Sequence, residues 1–294
     1  MIQKKNRPAG PGTVLCPLLA AVALVASTHS LTAAERFHFK RLSTNEGLSQ
    51  SAVNAIAQDQ DGFLWFGTQD GLNRYDGYEF RIFRHDIGDP LSISDGYIWC
   101  IAQHAGDLWI GTLHGGLNRY DRAGGTFQRF RHFGGDSTSL PGNDVTCLVN
   151  DSRGALWVGT WGGGLARLDS SNTRFVTYRH RPEDKESLPD DRVRCLWEDS
   201  HGTLWVGTWN GIARVTEGKV HPVTETERPP VVKEIICIAG DGSGNILLGT
   251  NGHGVVVRGP DGLSRIPSDT MRPLCNALAN RSVAFVHQDR TGRY

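Results

Sequence analysis

The stretch Leu64-Trp65-Phe66-Gly67-Thr68 returns as Leu108-Trp109-Ile110-Gly111-Thr112, Leu156-Trp157-Val158-Gly159-Thr160 and Leu204-Trp205-Val206-Gly207-Thr208. A fifth copy reads Ile246-Leu247-Leu248-Gly249-Thr250, with leucine in place of tryptophan. Successive copies lie 44, 48, 48 and 42 residues apart. Composition alone does not produce such strings at such a period, so the chain is a repeat array. An apolar segment precedes each copy, for example Val53-Asn54-Ala55-Ile56, Ile98-Trp99-Cys100-Ile101 and Val193-Arg194-Cys195-Leu196. Between the two lies a turn such as Asp59-Gln60-Asp61-Gly62, where Asp bonds nearby backbone and Gly accepts positive φ. After Gly-Thr comes a reversal such as Trp161-Gly162-Gly163-Gly164. A third strand follows, Leu72-Asn73-Arg74-Tyr75-Asp76, and a fourth, Phe80-Arg81-Ile82-Phe83, alternates apolar with polar.

Four short antiparallel strands per repeat is the content of one propeller blade. The sequence therefore predicts an all-β β-propeller of four-stranded antiparallel blades. Trp65, Trp109, Trp157 and Trp205 are expected to pack blade against blade. Gly67, Gly111, Gly159, Gly207 and Gly249 are expected to let neighbouring backbones approach closely. The recurring Arg and Asp of Asn73-Arg74-Tyr75-Asp76 suit hydrogen bonding within the blade rather than a ligand site repeated in every unit. First strands are expected to start near residues 52, 97, 144, 192, 234 and 282, giving about five blades and the opening of a sixth. Phe37 to Leu42 resembles an outer strand with no blade before it. The propeller is thus expected to be incomplete over 35–294, a fragment of a longer chain.

Thirty-one basic and 31 acidic residues cancel, which leaves no footprint for nucleic acid. Thirty-six glycines and eight tryptophans beside two methionines favour short strands and tight turns over long helices. Residues 1–34 read as a signal peptide: Lys4, Lys5 and Arg7, then the apolar run Val14 to Ala26, then Thr32-Ala33-Ala34 before Glu35. At 13 residues that run is shorter than the roughly 20 that span a bilayer, though an uncleaved anchor is the alternative. Leu15 before Cys16 is too bulky for a lipid-attachment site.

Asp-x-x-Gly-x-Leu-Trp-x-Gly-Thr, followed by Gly-Leu-Asn-Arg-Tyr-Asp at 71–76 and 116–121, resembles the two-component regulator propeller family. The linkers Asp89-Pro90-Leu91-Ser92, Asp136 to Pro141 and Glu186-Ser187-Leu188-Pro189 are similar to its inter-blade segments. The resemblance runs from about Phe37 to the C-terminus. It implies the periplasmic sensory, ligand-binding input region of a transmembrane signalling protein. The parent's output would be a histidine kinase or a diguanylate cyclase, and the parent could be an inner-membrane-anchored homodimer. The fifth unit departs from the pattern by lacking the tryptophan. A stand-alone exported carbohydrate- or protein-binding propeller is the alternative, and a propeller lyase or hydrolase ranks below both.

Catalytic and cofactor signatures are missing: no Gly-x-Ser-x-Gly, no phosphate loop, no Cys-x-x-Cys and no helical His pair for a metal. This chain is therefore expected to carry no catalytic domain, metal or cofactor. Cys100, Cys147, Cys195 and Cys237 share one position in four consecutive first strands, which suits a small buried side chain better than a disulfide. Cys275 stands alone in a loop. The ligand-binding candidates fall in the turn after Gly-Thr. Trp161 and Trp209 there could stack on a sugar ring or planar ligand, or pack between blades. Asn210 follows Trp209, while His114 and His253 occupy equivalent turns as either ligand contacts or solvated residues. The expected ligand is an oligosaccharide or another small molecule.

Overall fold

The blades share one fold, and in three of them a carboxylate clamp gives a local reason. In the first unit Asp59 Oδ1 accepts the amides of Asp61 and Phe63, both at 3.0 Å, and so reverses the chain. Asp59 Oδ2 accepts the indole N–H of Trp65 at 2.8 Å, clamping the tryptophan six residues on. Asp151 grips Trp157 at 2.7 Å and Asp199 grips Trp205 at 2.9 Å in the same way. After the tryptophan strand, Thr68, Thr112, Thr160, Thr208 and Thr250 are all fully buried. Each donates its hydroxyl to a carbonyl three or four residues later, at 2.7–2.9 Å, which closes the next turn.

The structure is a computed structural model that describes residues 40–223, 233–241, 244–259, 262–264 and 282–286. The expected signal peptide over residues 1–34, Cys16 and Cys275 lie outside the described residues. The chain divides into two units, Met1–Arg41 and Leu42–Tyr294, and the sheets belong to the second.

The first blade comprises β1 (Val53–Gln58), β2 (Leu64–Thr68), β3 (Gly71–Tyr75) and β4 (Phe80–Phe83). The second comprises β5 (Ile98–His104), β6 (Asp107–Thr112), β7 (Leu117–Asp121) and β8 (Thr126–Phe130). The third holds β9 (Val145–Asn150), β10 (Leu156–Thr160), β11 (Gly164–Leu168) and β12 (Phe175–Tyr178). The fourth holds β13 (Val193–Glu198), β14 (Leu204–Thr208), β15 (Gly211–Thr216) and β16 (Lys219–Pro222). The fifth holds β17 (Ile235–Gly240), β18 (Ile246–Thr250), β19 (Val255–Gly259) and β20 (Gly262–Ser264). Each blade is one antiparallel four-stranded sheet with its strands in chain order. Residues 282–286 form no such ladder among the described residues. They lie against the fifth blade through Val283 and Val286.

Most of the core lies between blades. Trp65, Leu72 and Phe83 pack on Ile98, Ile110, Tyr120 and Phe127 of the second blade. Trp109 and Phe130 meet Val145, Val158 and Phe175 of the third, and Trp157 meets Val193, Val206 and Val215 of the fourth. Each fully buried large side chain stabilises by about 2–3 kcal/mol. Ile56 of β1 is 64% exposed, whereas its counterparts Leu196 and Ile238 are buried against a preceding blade.

The repeat glycines leave room for neighbours of two kinds: an added Cβ would meet side chains at Gly67, Gly111, Gly159 and Gly207, and at Gly249 also the Val283 carbonyl at 2.7 Å. A Cβ at Gly67 would lie 2.6 Å from Ile98 Cγ2, a side-chain atom of the next blade. At Gly159 and Gly207 it would meet Val193 and Ile235 of the next blade at 2.8 Å, and also the thiol of its own blade's cysteine. Those cysteines face the glycines directly across the ladder, Cys147 opposite Gly159 and Cys195 opposite Gly207. Glycine thus makes room for one small and one β-branched side chain. Burial pushes the Cys147 thiol up to about 12, and Cys100 and Cys195 are raised for the same cause, which favours the neutral thiol in all three.

Linker and blade are also joined by polar side chains. Asn73 accepts the amide of Ser49 at 2.9 Å and donates to its hydroxyl at 2.8 Å, and Asn118 makes the same pair with Ser94. Arg74 lies over the Phe63 ring at 4.5 Å, while Asp76 accepts the amides of Tyr78 and Glu79, so this motif is structural.

Candidate aromatic face

In every blade the first strand is irregular at one place. The register shifts between Val53 and Ala55, Ile98 and Cys100, Val193 and Cys195, and Ile235 and Cys237, and opposite Gly159 and Thr160 in the third blade. The residue skipped by each shift is Asn54, Trp99, Thr146, Arg194 or Ile236. A bulge re-aims its side chain away from the regular alternation. These bulges sit where the first strand begins, which in an antiparallel blade is also where the second strand ends. The turns bearing Trp161 and Trp209 are therefore at the same end of the blades.

Main-chain hydrogen bonds hold these turns in place. Trp161 N donates to Asp144 O at 2.8 Å, and Gly162 and Gly164 donate to Asp191 O at the entrance to the fourth blade. Trp209 N donates to Arg192 O at 3.0 Å, Glu234 N to Trp209 O at 2.8 Å and Asn251 N to Glu234 O at 3.0 Å. An isolated β-bridge links Trp161 to Arg192. The bonds run from blade to blade around this end of the structure.

Side chains converge on the same end. Trp161 and Trp209 meet edge to face, with centroids 5.3 Å apart and planes at 83°. Trp161 is 36% exposed and Trp209 is half-buried, so the two pack on one another across the blade boundary and still reach solvent. The Arg192 guanidinium lies 5.5 Å from the Trp209 ring and 5.9 Å from the Trp161 ring. Arg194 lies 5.5 Å from Trp161 and 5.6 Å from Trp99, which is stacked on Tyr97 at 5.4 Å. Gln69, in the first blade's turn, donates to Tyr97 Oη at 3.2 Å. Trp99, Tyr97 and the two arginines were not singled out in the sequence. Trp99 and Arg194 share one repeat position two blades apart, but only the folded sheet shows that position to be a bulge.

The other candidates are more scattered. Asn210 is exposed beside Trp209, and His253 is exposed in the turn between β18 and β19. His114, whose side chain is 73% exposed, bonds Asp144 through Nδ1 at 3.0 Å and lines a cavity of about 260 Å³ with Asp95, Arg131 and Asn143. A larger cavity, about 570 Å³, lies among His132, His180, Arg179 and Phe175. The Nδ1 atoms of its two imidazoles are held by the Leu140 and Leu188 carbonyls, which makes them part of the linker scaffold. Among the described residues, no three His, Cys, Asp or Glu side chains come together to hold a metal. No helix of the described residues is long and apolar enough to cross a membrane.

The family profile described as two component regulator propeller matches residues 47–70, 92–114, 139–162 and 187–210. Each match runs from the linker before a blade to the turn after its Gly-Thr. Four of the blades carry this repeat in their linker and first two strands. Over 58 residues the chain is 52% identical to histidine kinase P4 of Formosa agariphila, covering 20% of this chain and 4% of that protein. The extracellular domain assigned to the hybrid two component system BT3049 of B. thetaiotaomicron superposes with a TM-score of 0.65. Its identity is 27%, over 78% of this chain and 32% of that one. Virginiamycin B lyase of Staphylococcus aureus shares the fold alone, at 15% identity and a TM-score of 0.53, over 75% of this chain and 72% of that one. The chain thus spans about a third of the first of these structures and a small part of the kinase.

Proposed function

We propose that this regulator propeller is the ligand-receiving part of a periplasmic sensor, exported by its N-terminal segment, with the aromatic face as its binding site. Export and the attached output, a kinase or a cyclase, rest on the likeness to sensor extracellular domains and on the apolar run at Val14 to Ala26. The observation that carries the reading is the gathering of Tyr97, Trp99, Trp161 and Trp209 from three blades at one end, each still partly open to solvent. Structural tryptophans of this protein lie buried between blades, as Trp65 and Trp109 do. Indoles left half-open at a rim suit the apolar faces of sugar rings.

Titration with oligosaccharides of two to four units, followed by intrinsic tryptophan fluorescence and calorimetry, tests this. Trp161→Ala and Trp209→Ala are expected to weaken binding by roughly tenfold each, the scale of one lost stacking contact. Oligosaccharide binding that is indifferent to both substitutions would place the site elsewhere and overturn the proposal.

A further inference from the structure

Two guanidiniums stand among the indoles, and they differ. Arg192 is already matched: its Nε and Nη2 reach Asp190 Oδ1 and Oδ2 at 2.8 and 2.5 Å. That two-pronged contact raises Arg192 and holds the Asp190 carboxyl below its usual range. Arg194 has no ion pair or hydrogen bond among the described residues and is held by the rings of Trp99 and Trp161. Two other bulge residues, Asn54 and Thr146, spend their polar atoms on the next blade. Asn54 donates to Ile98 O at 2.9 Å and Thr146 to Val193 O at 2.7 Å. Arg194 makes no such bond.

A guanidinium stacked on aromatic rings keeps its N–H edge free, and that planar fork matches a carboxylate through two parallel hydrogen bonds. The indoles beside it offer flat apolar faces of the size of a pyranose ring. A ligand that satisfies both features has a carboxylate fixed to a pyranose. An acidic peptide would reach the guanidinium but leave the indoles without a flat partner. A neutral sugar would cover the indoles and leave the guanidinium unmatched.

We propose that the aromatic face is a subsite for a carboxylate-bearing pyranose, a hexuronate unit of an oligosaccharide, with Arg194 as its anion anchor between Trp99 and Trp161. The proposal rests on the reading of this face as the ligand site and adds the charge of the ligand to it.

Calorimetry on the purified chain compares di- and trisaccharides of galacturonate and glucuronate with their methyl esters and their carboxyl-reduced forms. The acids are expected to bind at least about tenfold more tightly than either neutral form, the scale of one charge-assisted bidentate contact. Arg194→Gln is expected to abolish that preference, and Arg194→Lys to retain part of it. The ester comparison uses the unaltered protein, so it decides even where a variant melts early. Equal binding of acids and esters, or a preference that survives Arg194→Gln, overturns the anion anchor and leaves the aromatic site standing. Absence of binding by every sugar overturns both.

Discussion

Removing one carboxylate tests how each blade is clamped. Asp199 Oδ1 accepts the amides of His201 and Thr203 at 2.9 and 3.0 Å, and Oδ2 accepts the Trp205 indole at 2.9 Å. In Asp199→Ala all three donors lose their acceptor. The two amides lie in a solvent-reached hairpin and recover water, so each contributes little. The indole is packed into the boundary with the fifth blade and recovers less. A hydrogen bond to a charged group contributes about 1.5–3 kcal/mol, so the whole loss is expected at about 2–3 kcal/mol. For a chain of this size that corresponds to a melting point lower by about 3–6 °C. Asp199→Asn keeps a neutral acceptor and is expected to lose about 1 kcal/mol. The effect also depends on pH in a definite direction. Burial opposes ionisation of Asp199, but the Trp205 indole and the Thr203 and His201 amides outweigh it and lower the folded pKa. A lowered acid contributes stability above its unfolded value of about 3.9, and this is lost as pH falls through the folded pKa. Urea unfolding at neutral pH and at successively more acid pH measures both. The gap between wild type and Asp199→Asn is expected to close on the acid side. A gap that stays constant with pH, or an alanine variant within about 0.5 kcal/mol of wild type, refutes the clamp.

Two further substitutions probe the packing and the turns. Gly207→Ala is expected to destabilise by about 1–3 kcal/mol, since its Cβ would collide with Cys195 Sγ and Ile235 Cγ2, and Cys195→Ala in the same chain is expected to return part of the loss. Strictly additive urea midpoints for the pair would contradict the shared space. Ala105, at φ 50° in the two-residue hairpin between β5 and β6, occupies the left-handed region that glycine enters freely. Ala105→Gly is expected to raise stability by about 0.5–1 kcal/mol, and a lower midpoint in urea would count against the assigned turn.

The period of the Leu-Trp strings made the blades legible, because a repeated unit that cannot bury its own face must stack on its neighbour. The turns were legible for the same local reason, since Asp and Gly at fixed offsets admit few backbones. What Asp59 and Asp199 do with their second oxygen was not, because the partner indole is six residues on and only folding brings it back. The second blade shows the limit of the repeat. Its shorter hairpin puts Gln103 six residues before Trp109, and Gln103 Nε2 and Trp109 Nε1 are buried without hydrogen-bond partners. At the aromatic face, Trp161 and Trp209 could be picked out because they break the repeat within one turn. Trp99 and Arg194 could not, since a bulge that turns both side chains to one end depends on strand register, and register is a property of the folded sheet.

The chain of amide-to-carbonyl links through Trp161, Arg192, Trp209, Glu234 and Asn251 has a mechanical consequence. It works like a drawstring threaded across three wedges. Both indole-bearing turns are tied by it to the entry strands of the fourth and fifth wedges. The placement of the two indoles is thereby set by three wedges together and not by one turn alone.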